Sequence, residues 1–143
     1  MLDDPYNDIV YSIVGAAYEV QKELHGGLSE AIYHEALCLE LQNRDIKTES
    51  EAELIVYYKN KPLQKRYRVD ILCADDIILE LKAVDDLISE HRAQLYNYLR
   101  ITRKPIGILI NFSKSGVQIE KYKYDFLENN VDFYNIEFRK SVF

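Results

Sequence analysis

At 143 residues, with 48% hydrophobic and 29% charged side chains, the chain has room for a real core and the composition of a globular domain, which excludes a disordered polymer. A net charge of −6 argues against strong non-specific nucleic-acid binding, which works by neutralising phosphates, but it leaves room for segregated basic patches. No apolar stretch is long enough to span a membrane and the first residues carry no signal-peptide pattern, so a cytoplasmic protein with no membrane partner is expected.

Asp4-Pro5 marks the start of a first helix, because aspartate caps and proline suits the first turn. Ile9, Val10, Ile13, Val14, Ala17, Val20 and Leu24 then follow helical spacing, and His25-Gly26-Gly27 ends the run. Ser29 is placed to cap a second helix reaching about Gln42, with Ile32, Tyr33, Ala36, Leu37 and Leu41 mostly inward. Strand signals follow from Ala52 to Tyr58, and Asn60-Lys61 before Pro62 reads as a turn. Two further strands, Tyr67 to Leu72 and Ile77 to Lys82, flank a loop at Ala74-Asp75-Asp76. A third helix is expected from about Ile88 to Arg100, punctuated by Pro105. Gly107 to Phe112 suits a buried strand, Ser113 to Gly116 a turn, and Val117 to Tyr124 another strand; the last twenty residues are ambiguous. With no linker, repeat or low-complexity tract, a single domain over residues 1–143 is expected, an α/β sandwich with helices covering a central mixed sheet.

The acidic hairpin is the feature that points to chemistry. Asp70, Glu80 and Lys82 interrupt strands that are otherwise Val-, Ile- and Leu-rich, and a buried charge is costly unless paired or bound to a metal. Residues two apart on a strand share a face, so Glu80 and Lys82 point one way and Leu79 and Leu81 the other. If the loop is Ala74-Asp75-Asp76, Cys73 pairs with Ile77 and Asp70 stands opposite Glu80. Opposed Cβ atoms lie ~4.5–5.5 Å apart, close enough for two carboxylates to share one hard divalent cation. A plain buried ion-pair network is the competing account of these charges.

Other residues are less telling alone. Glu30 and Tyr33 share a helix face with Leu37, which puts a carboxylate near the core side; judged alone, a first-turn glutamate favoured by the helix dipole is the better account. Gln94 and Tyr98 lie with Leu87, His91 and Leu95 on one face of the third helix, as rim residues of an amphipathic helix do. His91 by itself reads as a structural histidine, and His25 and His34 attract no assignment. Two basic clusters, Lys59, Lys61, Lys65, Arg66 and Arg68, then Arg100, Arg103 and Lys104, suit a solvated strand edge and helix terminus as well as a phosphate-binding surface. Cys38 and Cys73 lack metal-site spacing and read as small buried hydrophobes. The twelve tyrosines suit a core rim, with some free to face a polymer substrate.

Taken in order, these motifs resemble a family. Asp70 followed by Glu80-Leu81-Lys82 resembles the core motif of the PD-(D/E)XK nuclease superfamily. Gly27-Leu28-Ser29-Glu30-Ala31-Ile32-Tyr33 matches the motif naming its GxxExxY branch, and Gln94 to Tyr98 is similar to the QxxxY element of RecB-like nucleases. The resemblance covers roughly residues 5 to 125, with Val69 standing where the superfamily's name has proline.

That resemblance implies a restriction-endonuclease-like sandwich with a central sheet of about five strands. It implies a metal-dependent nuclease hydrolysing phosphodiester bonds, most plausibly of DNA, with Mg²⁺ or Mn²⁺ held by Asp70, Glu80, the Leu81 carbonyl and Glu30. Lys82 would orient the attacking water, and Gln94 and Tyr98 would position substrate or lysine. A homodimer fits, since small nucleases of this fold often dimerise. The alternative is a catalytically silent module that binds nucleic acid or protein on the same scaffold.

Overall fold

The computed structural model describes residues 4–125 and the strand at 130–135. Val10, Ile13, Val14, Ala17 and Val20 form the buried stripe of α1 (Asn7–Leu24). The helix begins two residues after the expected proline: the Asp4 carboxylate accepts the Tyr6 N–H at 2.8 Å in a turn that precedes it. It ends at His25, which adopts φ 60° and donates its N–H to the Gln21 carbonyl at 2.7 Å. A Cβ at Gly26 would lie 2.6 Å from the Lys114 Cα, so only glycine lets this corner pass the backbone at Ser113 and Lys114. α2 (Glu30–Asn43) buries Tyr33, Leu37 and Leu41; Ser29 holds the cap position, but its side chain makes no cap hydrogen bond.

The sheet has six strands in spatial order β1 (Thr48–Tyr58), β2 (Lys61–Cys73), β3 (Ile77–Lys82), β4 (Ile106–Ser113), β5 (Gly116–Asp125) and β6 (Asn130–Asn135). The sixth falls in the tail whose sequence pattern is ambiguous; the rest of that tail, 126–129 and 136–143, lies outside the described residues. Every pairing is antiparallel except β3–β4, which is parallel and is joined through α3 (Ser89–Thr102). That connection buries β4 along its whole length, which explains its unbroken apolar run. α1 and α2 cover one face through Ile71, Leu79, Leu81, Ile108, Ile110 and Phe112. α3 covers the other through Leu95 and Leu99 against Leu72, Ile78, Leu109 and Tyr122.

Two irregularities shape β1 and β2. Their turn is Lys59–Asn60, one residue earlier than expected, with φ 48° and 65°, the twin left-handed residues a tight hairpin demands. Between the pairs Ile55–Arg66 and Tyr57–Pro62, three residues of β2 (Leu63, Gln64, Lys65) face only Val56 of β1, so β2 bulges. Farther along, Val69 packs in the α3-side cluster while Ile71 packs in the α1/α2-side cluster, although residues two apart normally share a face. Asp70 is the residue between them, opposite Glu51, which takes the left-handed φ of 51°. The strand changes sides at Asp70.

Candidate active site

The ladder pairs Cys73 with Ile77, Leu72 with Ile78 and Ile71 with Leu79, and the same register brings Asp70 opposite Glu80. The hairpin thus has the register its loop implies, with Leu79 and Leu81 in the α1/α2-side core. Glu80, Lys82 and Ile78 alternate with those leucines, so the acid and the amine lie on the α3 side.

Glu80 is 7% exposed, whereas Asp70 and Lys82 are half-buried. Burial first, then a hydrogen bond and the negative charge of Asp70, push the Glu80 carboxyl up to about 9 against the opposing effect of Lys82. That rise favours the neutral form of Glu80 at neutral pH, hydrogen-bonded to Asp70. The Leu81 N–H donates to Asp70 Oδ2 at 2.7 Å and fixes one lobe of that carboxylate. Among the described residues no ion pair joins Lys82 to Asp70 or Glu80. A structural salt-bridge network would have formed one, so that account of the charges loses its main support.

Glu30 opens α2 and is exposed as a residue, not core-side as its helix face suggests. Even so, partial burial of its carboxyl and the charge of Asp70 raise its pKa, opposed by Lys82 and His34. Tyr98 reaches the same acids from α3: burial and the charges of Glu80 and Asp70 raise its pKa. Gln94 Nε2 donates to the Tyr98 hydroxyl at 3.0 Å, so the pair acts as one unit. His91 belongs here too. Burial and the charge of Lys82 hold it below its ordinary range, while its Nδ1 accepts the Ile88 N–H at 3.2 Å and caps α3. Asp70, Glu80, Lys82, Glu30, Tyr98 and Gln94 thus converge from four elements, β2, β3, α2 and α3, on one end of β3.

The Gly27-to-Tyr33 segment is built to deliver Glu30. Gly27 takes φ 95°, which side chains disfavour. Tyr33 is fully buried, stacks on Phe112 at 4.7 Å, donates its hydroxyl to the His25 carbonyl at 2.5 Å and accepts the Leu28 N–H at 3.2 Å. It ties the loop before α2 to both the helix and the sheet. Tyr33→Phe keeps the stack and loses the ties, so thermal denaturation should register a loss of about 1–2 kcal/mol. An unchanged melting temperature would show that the hydroxyl anchors nothing.

Three supports escaped sequence reasoning. Asn111 is fully buried in β4, where its Oδ1 accepts the Val84 N–H and its Nδ2 donates to the Val84 carbonyl, each at 2.9 Å. It latches the chain just after Lys82, and a lone amide within an apolar strand was its signal. Arg92 holds Glu120 with two hydrogen bonds, at 2.8 and 2.9 Å, and the Tyr122 hydroxyl donates to the same carboxylate at 2.7 Å. Burial alone would raise the Glu120 pKa, but these donors win and lower it, so the clamp is charged and fixes α3 on β5. Tyr67 of β2 packs on Tyr98, ring centroids 5.3 Å apart, and no sequence spacing signalled that contact.

Asp70, Glu80 and the Leu81 carbonyl form an all-oxygen donor set, which suits a hard divalent cation. Among the described residues no three His, Cys, Asp or Glu side chains close into a ready-made cage, but a magnesium-type ion needs only one or two carboxylates beside water and substrate. The donors therefore fit such an ion.

No helix is long and apolar enough to cross a membrane among the described residues. No curated protein matches the chain. The solved crystal structure of SSO0001 superposes with a TM-score of 0.52 at 20% identity, covering 81% of this chain and 58% of that one, a likeness of fold. The chain thus spans less than two thirds of that protein's length. The family model of the PD-(D/E)XK nuclease superfamily matches residues 7–123, which contain every acid, amine and helix residue gathered at the end of β3. Sheet order, acidic hairpin and family match agree, and the chain belongs to the PD-(D/E)XK nuclease superfamily.

Proposed function

We propose that the protein is a metal-dependent nuclease that hydrolyses phosphodiester bonds of DNA, with Asp70, Glu80 and the Leu81 carbonyl as ligands of Mg²⁺ or Mn²⁺. One observation carries this reading: two acids stand opposite each other, one of them buried, and the nearby amine of Lys82 forms an ion pair with neither among the described residues. Such a pair is costly in the resting protein, and a divalent cation relieves it. The superfamily's typical use of divalent metals supports the choice of ion.

A cation held by Asp70 and Glu80 would supply polarisation of the phosphoryl oxygen and a more acidic water. The chain's own groups do the rest. Asp70 is oriented by the Leu81 N–H. Glu80 would hold the cation in its ionised form, beside Asp70. Glu30 approaches from α2, as a direct ligand or through a water. Lys82 orients the attacking water and offsets charge developing on the phosphate. Gln94 orients the Tyr98 hydroxyl toward substrate.

The finer assignment to the GxxExxY branch is supported by the work done by Gly27, Glu30 and Tyr33, and the RecB-like relation by the Gln94–Tyr98 pair. We also take residues 1–143 as one nuclease domain of the cytoplasm, where the free thiols Cys38 and Cys73 are at home, and a homodimer as its assembly.

The test is cleavage of single- and double-stranded DNA with Mg²⁺ or Mn²⁺. Asp70→Ala should lower the rate by about 10³-fold or more while keeping the wild-type circular dichroism spectrum. Equal rates for the variant would expose a contaminant. Mn²⁺ binding by a wild type that never cleaves would leave a silent binding module.

A further inference from the structure

The charges of this acidic protein are strongly segregated. Residues 59 to 68 hold Lys59, Lys61, Lys65, Arg66 and Arg68 and not one acid, in a chain of net charge −6. All five are exposed, and this half of β2 pairs only with β1. The arm also carries aromatic rings in solvent: Tyr58 is 62% exposed and Tyr67 41%.

The second basic cluster joins the first in space. Arg103 ends α3 in a left-handed conformation, donates to Asn60 Oδ1 at 2.6 Å, and lies 5.0 Å from the centre of the Tyr57 ring. The basic end of α3 therefore abuts the arm's turn. Some cations are already engaged: Arg68 pairs with Glu53 at 3.3 Å, and Lys104 donates to the Asp75 carbonyl at 2.7 Å. Lys61 and Lys65 make no ion pair among the described residues, and Lys65, within the β2 bulge, is exposed.

The arm also leads somewhere. Tyr67 packs on Tyr98, and Tyr98 feels the charges of Glu80 and Asp70. Tyr67 and Tyr98 thus link the exposed arm to the acidic pair.

We propose that the β1–β2 arm and the end of α3 form a track for a single-stranded polynucleotide, its phosphates on Lys61, Lys65, Arg66 and Arg103 and its bases stacked on Tyr58 and Tyr67. Charge complementarity selects a polyanion. The exposed rings select unpaired bases, since duplex bases are already stacked on each other. The strand would descend past Tyr67 to Tyr98 and the acids. The proposal names the substrate form of the nuclease reading and rests on it for the strand's destination.

Binding without turnover separates the two. Fluorescence anisotropy in EDTA would follow a labelled oligodeoxythymidylate of about 20 nucleotides, a length that spans such a groove. The wild type should bind it more tightly than a duplex of equal length. Lys65→Gln/Arg66→Gln should weaken binding about tenfold and flatten the salt dependence by about 1.4, at about 0.7 per lost phosphate contact. Tyr67→Ala should weaken it about tenfold through lost stacking.

Unchanged binding by the charge variant, with a wild-type melting curve, overturns the track. So does a preference for duplex. A charge variant that splits a dimer on size exclusion yet binds the strand normally also overturns it, making the arm a self-association surface. If the wild type binds the strand through the arm but never cleaves DNA, the nuclease reading fails and the track stands.

Discussion

Glu80→Gln should make the metal-free protein more stable and abolish metal-dependent cleavage. The Glu80 carboxyl rises from 4.5 to about 9 on folding, with burial the largest cause. A raised folded pKa gives stability that is complete below the unfolded value and lost as pH climbs toward the folded one. In EDTA the wild type should therefore lose stability steadily from pH 4.5 toward 9, the range set by that shift. Glutamine has nothing to ionise and can still donate a hydrogen bond to Asp70, so its stability should be flat across this window. At pH 7 the variant should lead by about 3 kcal/mol. Adding Mn²⁺ reverses the ranking, because only the wild type gains from the ion, and calorimetry should detect about one proton released per cation bound. A variant that melts with the wild type's pH slope would remove the buried-acid account of the pair.

Lys82→Ala should separate ligand from amine. Cleavage should fall by about 10²–10³-fold in kcat, the scale of losing one preorganised group that faces developing charge. Mn²⁺ affinity should stay near wild type, in contrast to Asp70→Ala, because Lys82 opposes the burial of Glu80 but binds neither acid. His91 supplies a readout free of turnover. Burial and then the positive charge of Lys82 hold its pKa down, so removing the lysine should raise it in an NMR titration. Wild-type cleavage by Lys82→Ala, or a His91 that does not move, would show that the amine stands apart from the site.

The hairpin was legible because strand alternation and loop length leave few choices. Once Ala74-Asp75-Asp76 is the loop, the pairing of Cys73 with Ile77 follows, and the opposition of Asp70 and Glu80 with it. Helix faces were less so. Periodicity placed Gln94 and Tyr98 together, and they are hydrogen-bonded, but it turned Glu30 toward the core when it lies in the open beside Asp70. A repeat along one helix says nothing about which sheet edge the helix meets. Asn111, Tyr67 and the Arg92–Glu120–Tyr122 clamp stayed hidden for the same reason: each contact joins elements far apart in the chain. The side change at Asp70 hinges on Glu51, an ordinary residue in a left-handed conformation that nothing in its sequence demands.

The bulge at Leu63, Gln64 and Lys65 has an evolutionary corollary. Because spare residues are stored there, insertions or deletions near the tip can be absorbed before they reach Val69. The tip is then free to vary in length while the spacing from Asp70 to Lys82 stays insulated.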